Sequence, residues 1–159
     1  TVPNDPCPTP MNDLYADLAA LRRILDTGGL AAGLQFLNAR VDYRCSAIYR
    51  LDKLTMQNVV TYDRTGAVSN ALVAVPLTDS FCQHVIRDGS FVTHDSGQDP
   101  RLQGHPYQGV VVSYYGLPLM RTPDELFGTF CHFDYVERSV PDEEIAFLEK
   151  VARLLPAYL

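Results

Sequence analysis

The chain has 159 residues, 47% of them hydrophobic and 20% charged, with a formal net charge of −6. Those totals suit one globular domain with a single core and argue against wholesale disorder. Only 13 residues are Lys or Arg, with no run longer than Arg22-Arg23, so a nucleic-acid partner is not expected.

The first ten residues, TVPNDPCPTP, hold four prolines and almost nothing to bury, which reads as a tail or linker with Cys7 exposed. Leu14, Leu18, Leu21 and Leu25 then recur at helical spacing. Asn12 or Asp13 is available as a cap, and Thr27-Gly28-Gly29 is a stop. Leu30, Leu34, Leu37 and Val41 continue on a second short helix. Strand-like runs follow at Cys45–Leu51 and Val59–Asp63. A short helix over about Ser80–Arg87 closes at Asp88-Gly89, ahead of a strand at Phe91–His94. Two longer strands, Val110–Met120 and Leu126–Asp134, flank the turn Arg121–Glu125 as an antiparallel hairpin. Ser139-Val-Pro-Asp142 offers a capping serine, an early proline and an acidic first turn to a last helix carrying Ile145, Leu148, Val151, Ala152 and Leu155.

Leucine-rich helices at both ends of a mostly antiparallel sheet define an α+β sandwich, because both helices need one sheet face to cover them. The fifteen residues Asp95–Gly109 lack periodicity but carry Leu102, Tyr107 and two prolines. They are expected to pack back over the other sheet face as a lid. Strand parity sets Val110, Val112, Tyr114 and Gly116 opposite Val111, Ser113, Tyr115, Leu117 and Leu119. In the last strand it sets Phe127, Thr129, Cys131 and Phe133 opposite Gly128, Phe130 and His132. Parity alone does not say which set faces the helices.

The ordered segments Leu77-Thr-Asp-Ser-Phe-Cys82, His94-Asp95 with Asp99-Pro-Arg-Leu102, Ser113-Tyr-Tyr-Gly-Leu-Pro-Leu119, and Gly128-Thr-Phe-Cys131 with Asp134 resemble GAF domains of bacterial signalling proteins. The resemblance is closest to those beside diguanylate cyclase and histidine kinase modules. It covers roughly residues 12–158, so residues 1–11 are read as the tail and 12–159 as one sensory domain. It implies a central antiparallel sheet of five to six strands with terminal helices on one face. A small-molecule pocket would lie beneath the lid on the other face. It also implies a homodimer formed through the terminal helices and relay to an output domain or protein. The chain departs from the family pattern at the turn Arg121–Glu125, where glycine is more usual, and at His132, where an apolar residue commonly follows the cysteine.

Cys7, Cys45, Cys82 and Cys131 lie far apart without a CxxC pair and read as reduced thiols of a cytoplasmic protein. No apolar run reaches the roughly 18–20 residues of a bilayer span, and no signal-peptide pattern opens the chain, so no membrane partner is expected. The first residue, Thr1 in place of Met, is expected of a processed chain or one cut from something longer.

Cys131 and His132 are neighbours on a strand and point to opposite faces, and Cys82 and His84 diverge by about 200° on a helix, so neither pair grips a metal. Cys131-His132 matches the dipeptide through which phytochrome-type GAF domains bind bilin, but here it falls inside the final strand. No P-loop, GxGxxG or GxSxG occurs, and the cofactor is left unknown, with no metal, bilin or nucleotide motif. The candidate ligand-binding residues are Ser80, Cys82, His84, His94, Asp95, Arg101, Tyr114, Tyr115, Cys131 and His132, with His105 a weaker choice. Arg101 is the residue best suited to an anionic ligand, against a local ion pair with Asp95 or Asp99. The resulting expectation is a non-enzymatic sensor of an unidentified small molecule. The alternatives are a thiol-based reductase of free methionine sulfoxide using Cys82 and Cys131, or a purely structural dimerisation domain.

Overall fold

The computed structural model describes residues 11–67 and 73–159. The expected tail with Cys7 lies, apart from Met11, outside the described residues, as do the side chains of Asn12 and Asp13 proposed as caps. Helical structure already holds at Met11, and α1 runs Met11–Asn38. It is two helices joined at Gly29, whose φ of 76° lies where a side chain is strained, so the expected stop is where the axis breaks. On either side of this break Leu21, Leu25, Leu34 and Leu37 are buried.

Strands β1 (Cys45–Asp52), β2 (Thr55–Asp63) and β3 (Ala74–Pro76) precede the short helix α2 (Cys82–Asp88). Then come β4 (Phe91–Thr93), β5 (Ser113–Thr122), β6 (Glu125–Asp134) and helix α3 (Asp142–Leu154). All strand pairs are antiparallel, in the order β3-β2-β1-β6-β5-β4. The β5–β6 hairpin turns through Pro123-Asp124, with Thr122 paired to Glu125.

Three sequence expectations need correction. Strand β3 was not anticipated, since three residues ending at Pro76 carry no readable alternation. Strand β5 starts at Ser113, not Val110, because Val110–Val112 turn out of the sheet and Val111 is drawn into the core beneath the lid. Helix α3 is not capped by Ser139. Pro141 occupies the capping position in an extended conformation with no side-chain cap. A proline also biases the residue before it away from helical angles, which leaves Ser139 two residues outside the helix.

Two cores result, one on each sheet face. On the first, Ile48, Tyr115, Leu117, Leu119 and Phe130 pack against the α1 leucines and against Phe147, Leu148 and Val151 of α3. On the second, Ala47, Tyr49, Cys131 and Phe133 meet Phe81, Cys82 and Val85 of the α2 segment, with Leu102 and Val111 of the lid. Phe127 departs from strict parity. Gly128 pairs with Leu119 but Leu126 pairs with Met120, so Phe127 is the extra residue of a bulge and swings to the helix face.

Each buried leucine of the helix face contributes roughly 1.5–3 kcal/mol, so burial outweighs any single surface ion pair there. One polar tie nevertheless stitches α1 to α3. Arg40 donates to both oxygens of Glu144 (3.0 and 3.1 Å) and to Asp17 (2.9 Å), and its guanidinium lies 3.9 Å from the Phe147 ring centre. Glu144 is buried, so removing its partner strands a carboxylate. Arg40→Ala is therefore expected to cost about 2–3 kcal/mol, read as a lower urea midpoint at unchanged slope. Arg40→Lys should recover only part, lacking the planar fork.

Candidate functional site

The lid is held down by its own polar side chains. Asp95 accepts from the Gly97 amide (3.1 Å) and Asp99 from the Arg101 amide (3.0 Å), fixing two short 3-10 turns. Ser96, fully buried, accepts from Gly109 N–H (2.9 Å) and donates to the Val111 carbonyl (2.6 Å), closing the loop on itself. Leu102 anchors the middle in the core. The segment thus folds across the sheet, as its composition suggested.

Between lid and sheet lies a cavity of about 50 Å³. Its floor is Tyr49, Tyr114, Cys131 and Phe133, from β1, β5 and β6. Ser80, Phe81 and Cys82 form one wall at the start of α2, and Val75, Tyr107 and Val111 complete the lining of a recess that stays partly open. A space of this size takes a few water molecules and is well below the roughly 300–1,000 Å³ of ligand pockets. Side chains largely fill it in this conformation.

Four of the ten candidate residues, Ser80, Cys82, Tyr114 and Cys131, meet at this cavity. Tyr115 and His132 lie on the opposite sheet face under the helices, since parity assigns them there once Tyr114 and Cys131 face the lid. His84 is buried behind the wall, stacked on Phe91 (4.8 Å between ring centres) and 3.1 Å from Arg87 Nη2. Burial and that arginine push its pKa down. His94 is exposed, with Nδ1 3.2 Å from the Arg138 carbonyl. Asp95 is spent as a turn cap. His105 packs its ring 4.7 Å from that of Phe81, outside the cavity lining.

Arg101 is not poised for an anion in the pocket. Its guanidinium donates to both oxygens of Asp99 (2.9 and 2.6 Å) and to the Val92 carbonyl (2.6 Å), and lies 4.5 Å from the Phe91 ring centre. The pairing holds the Asp99 carboxyl at about 2. The local ion pair is what forms, with Asp99 as the partner.

Sequence reasoning missed Tyr49, Val75, Phe81, Tyr107, Val111 and Phe133 as lining. Phe133 shares parity with Cys131, and Tyr49 alternates with Ala47 and Cys45, so those two were within reach of the pattern. Val75 was hidden with its strand.

The floor is electrically neutral. Burial pushes the Cys131 thiol well up, the Cys45 thiol up to about 12, and the Tyr114 phenol well up. Cys82 Sγ sits 3.2 Å from Thr129 Oγ1 and 3.6 Å from the Tyr114 hydroxyl, among neutral partners. In a Cys7→Ser background at pH 8, Cys131 and Cys45 should resist a thiol-disulfide reagent until the protein unfolds. Counting released chromophore before and after denaturant checks this.

A six-stranded antiparallel sheet with terminal helices on one face and a short helix and lid on the other defines an α+β domain. The GAF domain model matches residues 20–157, and the chain belongs to that family. The GAF domain of an Acinetobacter phosphoenolpyruvate-protein phosphotransferase superposes with a TM-score of 0.73 at 12% identity, covering 92% of each chain. The chromophore-binding domain of Stigmatella aurantiaca phytochrome P1 gives 0.74 at 15% identity over 100% of this chain and 62% of that one. The free methionine-R-sulfoxide reductase of Neisseria meningitidis, solved with its substrate, gives 0.69 at 15% identity over 91% and 84%. At these identities the likeness is one of fold. Among curated proteins no sequence relative matches.

Proposed function

We propose that this domain is a small-molecule sensor of bacterial signal transduction, and not an enzyme. Occupancy of the lidded cavity would be relayed through the terminal helices to an output domain or partner. The observation that carries the reading is the cavity itself, a partly open recess between the fold-back lid and the sheet, lined by neutral side chains. Relay has a short path: Tyr114 and Cys131 face the cavity, while Tyr115, Leu117 and Phe130, adjacent on the same strands, bear on the core of α1 and α3. A ligand that favoured one lid position would shift the population of helix packings.

A homodimer through the terminal helices fits this reading. A groove between α1 and α3, lined by Tyr15, Leu18, Ala19, Arg22, Lys150 and Leu154 among others, offers apolar surface rimmed by charge, and Tyr15 is 58% exposed. No helix among the described residues is long and apolar enough to cross a membrane. A cytoplasmic setting, where the thiols stay reduced, belongs to the same proposal.

The test is a melting screen against a metabolite library with size-exclusion chromatography of each hit. A ligand at 100 times its dissociation constant adds about 2.7 kcal/mol, roughly 5–10 °C for a domain of this size. Shifts with altered dimer mobility support the sensor. A flat screen, with no small molecule released from protein purified from cells, would leave only a structural dimerisation domain.

One observation favours a second reading: Cys82 and Cys131 share the cavity, and two similar folds are free methionine-R-sulfoxide reductases. Against it, the Cys131 thiol is held protonated, and a thiol attacks as its thiolate. Turnover of methionine sulfoxide with thioredoxin, abolished by Cys131→Ser, would establish the enzyme.

A further inference from the structure

The cavity lining says more about the occupant than that it is small. None of the ten lining residues carries a charge, and five are aromatic: Tyr49, Phe81, Tyr107, Tyr114 and Phe133. The charged groups nearby are turned to one another. Arg101 is taken by Asp99 and lies over the Phe91 ring, and Arg87 is taken by Asp88 and His84. A carboxylate, phosphate or ammonium group entering this space would lose its hydration and find no counter-charge, which is costly. Aromatic walls instead favour offset or edge-on ring contacts with a flat apolar guest. Ser80 Oγ accepts from the Cys82 amide (3.0 Å), which leaves its proton to give to one acceptor on a guest.

Space is the remaining requirement. An apolar cavity that accommodates benzene is roughly 150 Å³, against about 50 Å³ here. The half-buried Tyr107 is the movable part of the lining. It rides on a segment bounded by Gly104 and Gly109, with φ of 77° and 74°. Bonds inside that segment are local: Gly104 N–H to Gln108 Oε1 (3.1 Å), Gln108 N–H to the His105 carbonyl (3.0 Å) and Tyr107 N–H to His105 Nδ1 (3.1 Å). Four bonds tie the segment to its surroundings: His105 N–H to the Leu102 carbonyl (2.9 Å), Gly109 N–H to Ser96 Oγ (2.9 Å), and the Val110 and Val111 amides to the Tyr107 carbonyl (3.0 and 3.1 Å). Carrying the Tyr107 ring outward on the two glycines keeps the internal bonds but breaks several of these and the His105–Phe81 ring contact, so the open form is a local opening of the lid tip that a guest must favour.

We propose that the pocket takes an uncharged molecule with one aromatic ring system, admitted when the Gly104–Gly109 segment carries Tyr107 outward. This rests on the sensor reading and narrows it. Zwitterions and nucleotides are excluded as occupants.

Indole is a suitable probe, because the chain has no Trp and indole excited to the red of the absorption of the nine tyrosines can be followed against little protein emission. Indole should bind saturably, with emission shifted to the blue. Its charged counterparts indole-3-acetate and tryptamine should bind at least about tenfold more weakly, a difference near 1.4 kcal/mol. Tyr107→Ala should tighten indole binding about fivefold or more by emptying the space in advance, and Val111→Phe should weaken it at least about tenfold. Far-ultraviolet dichroism confirms that both variants fold. Displacement of indole by either charged compound at equal or lower concentration overturns the proposed class and leaves the sensor standing. Failure of indole to bind both wild type and Tyr107→Ala, or binding untouched by Val111→Phe, overturns the proposal itself, whatever the metabolite screen returns.

Discussion

Gly128→Ala is expected to lower stability by at least about 3 kcal/mol, measured as a fall in urea midpoint. A Cβ on Gly128 would overlap the Tyr49 carbonyl oxygen, with the carbonyl carbon 2.8 Å away and Arg50 Cα 2.9 Å away. These are backbone atoms of the neighbouring strand, so no side-chain rotation relieves the clash. The only escape is to part β1 from β6, the central pairing of the sheet. Both cores straddle that pairing, so separation is felt on the helix face and at the cavity alike. Tyr49, on the cavity floor, would move with its strand, and ligand binding should fall even in protein that remains folded. A midpoint within about 1 kcal/mol of wild type would mean that the two strands are not held this closely.

The second large effect concerns pH. His132 is fully buried on the helix face, and burial first, then the charge of Arg64, hold its pKa down at about 3. Its Nδ1 lies 2.6 Å from Ser46 Oγ, which already accepts from Asn38 Nδ2 at 2.9 Å. The serine proton is therefore free to go to Nδ1, leaving a neutral ring with its proton on Nε2. Arg64 in turn donates to Asn38 Oδ1 and to the carbonyls of Asn38 and Val41, so the chain of bonds ties the end of α1 to β1 and β6.

An imidazole with a folded pKa below its unfolded value takes up more protons when the chain unfolds, so stability is full above about pH 6.5 and falls as the pH drops toward 3. From pH 7 to 4.5 the loss from His132 alone is roughly 2–3 kcal/mol. His84 and His105, whose pKa values are also lowered by burial, add in the same direction. The check is a denaturation series at both pH values for wild type and His132→Asn. The variant should lose less on acidification by about that amount. The His132 ring signals in NMR should also show no titration down to pH 4.5. A ring that titrates near 6.5 would contradict this account.

The fold was largely legible in advance where a physical pattern is local. Leucines at helical spacing marked the α1 and α3 faces, Gly29 marked the break in α1, and a hairpin formed around Pro123-Asp124. Less legible were features set by a neighbour. The bulge that sends Phe127 to the helices answers to β5, and the start of β5 answers to the lid that claims Val111. Only four of ten candidate site residues converge on the cavity, because polar chemistry in a sequence does not reveal which sheet face a side chain takes. Arg101 and Asp95 are absorbed in the lid's own structure, and Tyr115 and His132 serve the other core.

What the amino-acid sequence determined by itself is the α+β class of this domain, its helix seams, its strand alternation and the lid. Each of these is written in spacing and turn chemistry within a few residues. Only the tertiary structure decided which alternate residues of β5 and β6 look into the cavity, how much of that cavity the rings of Tyr107 and its neighbours already fill, and which charges are spent on each other. Those questions turn on pairing register and packing between segments distant in the chain, and a one-residue change of register would exchange the two faces.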